Sequence, residues 1–163
     1  MGPVAIDVDR LKAGEDYLKA LRLLGLEPEA LFWMQDLVED RLVLGLVSRF
    51  VDIVGPTALS RLLFKAYNAA ATPREIDPFI VRLHSPDHNM IRTMIDALDS
   101  FKTQMVDTGI TKPGEMETAV FGNASVAIPL GHVYVWKDIR RPREDLLRKW
   151  GVISQRVDDL AAA

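Results

Sequence analysis

The sequence predicts one mixed α/β domain. Its sheet has four to five strands around a central parallel β-α-β unit, with antiparallel hairpins at the ends and about four helices. Three observations predict it. Leu42-Val43-Leu44-Gly45-Leu46-Val47 is a nearly unbroken apolar run, the pattern of a strand covered on both faces. Leu59, Leu62, Leu63, Ala66, Tyr67 and Ala70 follow at helical spacing. Phe79-Ile80-Val81-Arg82-Leu83-His84 then reads as a second strand. A helix between two apolar strands implies a parallel pair joined by a right-handed crossover. The core unit therefore spans 41–84.

The elements follow in order. Leu11, Leu18, Leu21 and Leu24 form one stripe of a helix over 7–24, with Asp7 or Asp9 as its cap and Gly25 just past its end. Leu31-Phe32-Trp33-Met34 suits a short helix or a strand. Its aromatic content and the acidic break Glu39-Asp40 favour a hairpin with 41–48. Pro56 suits the first turn of a helix over 56–71, because the N–H it lacks would be unpaired there. Thr72-Pro73 stops that helix. Met90, Ile91, Met94, Ile95, Leu98 and Phe101 mark a helix over 87–105, and a Gly/Pro/Thr/Lys loop follows at 107–115. Thr118–Phe121 and His132–Trp136 read as strands, with a turn at Gly122-Asn123. Val126–Ile128 is a short further strand that Pro129 would confine to an edge. Pro142 starts a last helix that Gly151 ends at 150. Residues 158–163 are expected to fray.

Composition sets limits. A chain of 163 residues can bury a full core without staples, roughly 70% of its unfolded surface. There is no cysteine, so disulfides, thiolate ligands and a cysteine nucleophile are excluded. The net charge of -3 argues against nucleic acid held by a global field. The first residues have no basic leader and no long apolar core, and no apolar run is long enough to span a membrane. A cytoplasmic location is the expectation. No Walker loop, no Gly-x-Gly-x-x-Gly and no nucleophile elbow occurs.

Two stretches carry chemistry. His84-Ser85-Pro86-Asp87-His88 leaves the end of a parallel strand, where open α/β sheets bind ligands. His84, Asp87 and His88 are ligand types for a divalent metal. Asp87 with Ser85 equally suits a turn that caps the next helix. The second stretch is basic: Lys137, Arg140, Arg141, Arg143, Arg148 and Lys149, flanked by Trp136 and Trp150. It suits contact with an anion or an acidic partner. It equally suits a surface helix with Glu144 and Asp145 at its start and Arg148-Lys149 at its end, matching the helix dipole. Residues 1–40 hold nine acids and four bases, so the chain has an acidic beginning and a basic end, free to meet within one fold or between subunits. Phe32 and Trp33, or an open sheet edge, are candidates for burial in a homodimer. The expected function is non-enzymatic binding, of another protein or of a second copy. A small metal-dependent hydrolase centred on His84–His88 is the alternative.

Overall fold

In the computed structural model of the protein, residues 5–108, 118–122, 125–137 and 140–163 are described, with the side chains of 101–108 set aside. The 107–115 loop lies outside them, apart from its first two residues. So do Asn123 of the expected turn and Asp138 and Ile139 of the basic stretch.

Among the described residues the helices are α1 (Val8–Leu24), α2 (Phe50–Val54), α3 (Pro56–Asn68), α4 (Asn89–Thr108) and α5 (Arg143–Ala162). The strands are β1 (Ala30–Asp36), β2 (Arg41–Val47), β3 (Val81–His84), β4 (Thr118–Phe121), β5 (Val126–Pro129) and β6 (Val133–Trp136). The sheet runs β3-β2-β1-β5-β4, and β6 also pairs with β1. β1 and β2 form the expected hairpin, and β2 and β3 are the expected parallel pair. One face of the sheet carries Leu31, Trp33, Leu44, Leu46 and Val135 against α1, α2, α3 and α5. The other carries Ala30, Phe32, Met34, Val43 and Val47 against α4. β1 is thus covered on both faces, which explains why its run shows little alternation.

Local signals act where expected at α1. Asp7 Oδ1 accepts the Arg10 N–H at 2.8 Å, and Gly25 takes φ +92°, where a side chain would be strained. At Gly14 the helix makes a close approach instead. A Cβ there would lie 2.2 Å from the Tyr134 hydroxyl. That hydroxyl donates to the Leu11 carbonyl at 2.6 Å and accepts from Trp33 Nε1 at 2.9 Å. One phenol so ties α1, β6 and the central strand together.

Several expectations are corrected. Among the described residues the sheet has six strands where four or five are expected. Phe79 and Ile80 belong to a 3-10 turn, Pro78–Ile80, and the strand begins at Val81. There Asp77 Oδ1 accepts the Phe79 N–H at 2.9 Å and holds the turn. Pro129 does not put β5 on an edge: the strand lies between β1 and β4, and Pro129 is its last residue, where a ladder bond can be forgone. Gly122 closes a hairpin between β4 and β5.

Gly151 does not end α5, and the tail is helical to Ala162. A glycine inside a helix costs about 1 kcal/mol against Ala. Burial of Leu146, Ile153 and Val157 on the α1–α3 layer outweighs that. Phe32 and Trp33 are not available to a homodimer, because both are buried in the chain's own core, on opposite faces of the sheet.

Candidate functional site

The strand registers bring four strand ends into one row. Val47 pairs with His84, Ala30 with Val47, and Ala30 with Trp136. The ends of β3, β2 and β6 therefore lie beside the start of β1. The next residues outward are Ser85, Ser48, Glu29 and Lys137, tied by backbone bonds. Ser48 N–H donates to the His84 carbonyl at 3.0 Å, Glu29 N–H to Val47 at 2.9 Å, and Lys137 N–H to Glu29 at 2.8 Å. The two chemically promising stretches, far apart in sequence, thus meet at one end of the sheet.

Glu29 sits at the middle of this end, with only 5% of its surface exposed. Its Oε2 accepts the Arg49 N–H at 3.1 Å. Burial pushes its carboxyl up to about 7, against the opposing pull of that N–H and of the Arg49 and Arg141 charges. A niche on the α5 side is lined by Glu27, Glu29, Phe50, Arg141, Leu146 and Lys149. Its free volume is about 10 Å³, barely enough for one water. Burial, and next the Arg141 charge, lower the Lys149 ammonium below its ordinary value. Glu27 is paired to Arg22 at 2.9 Å and to Lys137 at 3.6 Å. Those cations hold its carboxyl below the usual range, the Arg22 hydrogen bond most of all.

The histidines lie on the opposite face of the sheet, since His84 follows Leu83 and the strand alternates. The His84 and His88 rings are 5.8 Å apart. His84 Nε2 is buried with no hydrogen-bond partner. Burial, then the charges of His88 and Arg82, push His84 down to about 4, so it is neutral near pH 7. His88 precedes α4, and its Nδ1 accepts the Met90 N–H at 3.2 Å. The cap expected of Asp87 and Ser85 is therefore supplied by His88. Asp87 instead faces Arg92 at 3.2 Å and Arg49 at 3.8 Å. Ser85 Oγ donates to Asp52 Oδ2 at 2.8 Å and accepts the Asp87 N–H at 3.1 Å. Among the described residues no three His, Asp or Glu side chains gather as a metal-ligand set. His132 is elsewhere, in a groove with Leu11, Lys12, Glu15 and Tyr134.

The basic stretch is divided. Lys137, Arg141 and Lys149 face the sheet end. Arg148 pairs with Asp145 along the helix, and Arg140 and Arg143 are exposed. Since α5 continues to Ala162, Arg148 and Lys149 lie within the helix rather than in its last turn. They do not complement its C-terminal dipole, which acts only within that turn.

Glu29 was not legible as a site residue. The available signal was an acid immediately before the apolar run 30–34, placed to sit at a sheet end opposite the basic stretch. Compared with known proteins, the chain matches no family model, no curated protein and no solved structure.

Proposed function

We propose that the protein is a non-enzymatic binding protein of the cytoplasm. It engages a partner protein or a second copy of itself through the polar end of its sheet. One observation carries this reading. Asp87, His88 and Glu29 at that end are spent on neighbours, Asp87 on Arg49 and Arg92, His88 on the start of α4, Glu29 on the Arg49 N–H. The niche that Glu29 borders on the α5 side has about 10 Å³ of free volume, against the several hundred that small-molecule sites need. Such an end can recognise a surface, but it does not enclose a substrate. No described helix is long and apolar enough to cross a membrane.

The test sets this reading against a metal-dependent hydrolase. The full chain is assayed on phosphoester, carboxyl-ester and peptide substrates with zinc, manganese or nickel, and its thermal midpoint is followed with each metal. No turnover is expected, and no metal-induced rise in midpoint. A specific site at a hundred times its dissociation constant would add about 2.7 kcal/mol, or about 5–10 °C for a domain of this size. Turnover that disappears in His84→Ala or His88→Ala would overturn the reading.

A further inference from the structure

Arg141 and Lys149 line one niche, and the charge of the first depresses the protonation of the second. Two cations held this close repel each other unless an anion stands between them. The internal anion, Glu29, lines the same niche but is only 5% exposed, and its charge is divided among Arg49, Arg141 and Lys149. Glu27 is committed to Arg22 and Lys137. Glu27 and Glu29 act on Lys149, and Glu29 on Arg141, through their charges and not through a hydrogen bond.

We infer that the rim formed by Lys137, Arg141 and Lys149 is a docking surface for an acidic peptide segment of a partner protein, whose carboxylates supply the counter-charge that Glu29 and Glu27 supply only in part. The inference rests on the binding reading above and names the partner's chemistry.

Two features favour an extended peptide over a single compact anion. The niche is too small to admit a phosphate between Glu29 and the cations, so the ligand must lie across its mouth. The cations also stand apart along the chain: Lys137 just past β6, Arg141 just before α5, and Lys149 in the second turn of α5. Arg143, exposed at the start of α5, prolongs the strip. A chain of several carboxylates can pair with such a strip one after another, as oppositely charged surfaces do at protein interfaces.

The test uses the full chain and a fluorescein-labelled oligoglutamate peptide, read by anisotropy. Binding is expected at low salt, weakening by about tenfold or more when salt screens the pairs over less than a Debye length of about 8 Å. The double variant Arg141→Ala, Lys149→Ala is expected to weaken binding by about tenfold or more. Lys149→Arg, which keeps the charge, should bind like the wild type. The pair Lys12→Ala and Lys19→Ala on α1, whose lysines face Asp16 and Glu15, should leave it unchanged. Glu29→Gln removes the internal competitor and should tighten it. Circular dichroism on each variant confirms that the comparison is between folded chains.

The inference is overturned if no peptide complex forms, if the folded double variant binds as the wild type does, or if an oligonucleotide of equal charge binds more tightly than the peptide. Absence of a peptide complex would leave the non-enzymatic reading standing, since that reading fails only on histidine-dependent turnover.

Discussion

Replacing Phe32 by Ala is expected to destabilise the protein by about 3–5 kcal/mol, and Gly45→Ala by about 1–3 kcal/mol. The two residues face each other across the β1–β2 hairpin, and Phe32 is fully buried. The ring of Phe32 lies over the bare backbone of Gly45. A Cβ at Gly45 would sit 2.6 Å from Phe32 Cε2 and 2.7 Å from its Cζ. The ring cannot move aside freely, because it belongs to the cluster with Met34, Val43, Ile91 and Met94 under α4. Gly45 is therefore required by the ring opposite it, in the middle of a strand where glycine is otherwise unfavourable. The relation is testable as a cycle. Leucine at position 32 lacks the two ring atoms nearest Gly45, so Gly45→Ala should cost less in a Phe32→Leu background than in the wild type. Chemical denaturation of the four chains measures it. Equal costs in both backgrounds would show that the ring does not set the glycine.

The second large effect is a pair of opposed pH dependences. Glu29 titrates at about 7 when folded against 4.5 for an ordinary glutamate. Between those values the folded chain holds more protons than the unfolded one, so its stability falls as pH rises through that window. His84 titrates at about 4 when folded against 6.5 ordinarily. There the folded chain holds fewer protons, so stability falls as pH drops through that window. Each full excursion amounts to about 3 kcal/mol, and the two cancel where they overlap. The wild type should therefore show a flat stability between about pH 4.5 and 6.5 from these two groups. Glu29→Gln should expose the His84 dependence, with stability lost on acidification. His84→Leu should expose the Glu29 dependence, with stability lost as pH rises toward 7. Denaturant midpoints across this range decide it. Parallel curves for wild type and both variants would contradict the burial of both groups.

The β-α-β unit was legible because its signals agree at several levels. An apolar run, Pro56 at a helix start and Thr72-Pro73 after its end all describe the same crossover. The ends of α1 were equally plain, since Asp7 and Gly25 act through their own local chemistry. The errors came where tertiary packing overrides a local rule. Gly151 reads as a terminator, yet burial of Ile153 and Val157 carries α5 through it. Pro129 reads as an edge marker, yet it is the last residue of β5, opposite Thr118 of β4 and past the pairing with β1.

The site was legible only in halves. His84–His88 and Lys137–Lys149 each stood out, but their meeting depends on the register of β1 against β2 and β6, which periodicity does not determine. Glu29 was missed because one carboxylate before a strand looks like any solvated flank until the sheet closes around it.

Glu29 is the buried carboxylate placed among the cations of the sheet end. Carbon-13 NMR titration of the glutamate side chains measures this most directly. One carboxyl should titrate at about 7, vanish in Glu29→Gln, and move upward when Arg141 is replaced by Ala. Titration of every glutamate near 4.5 or below would contradict it.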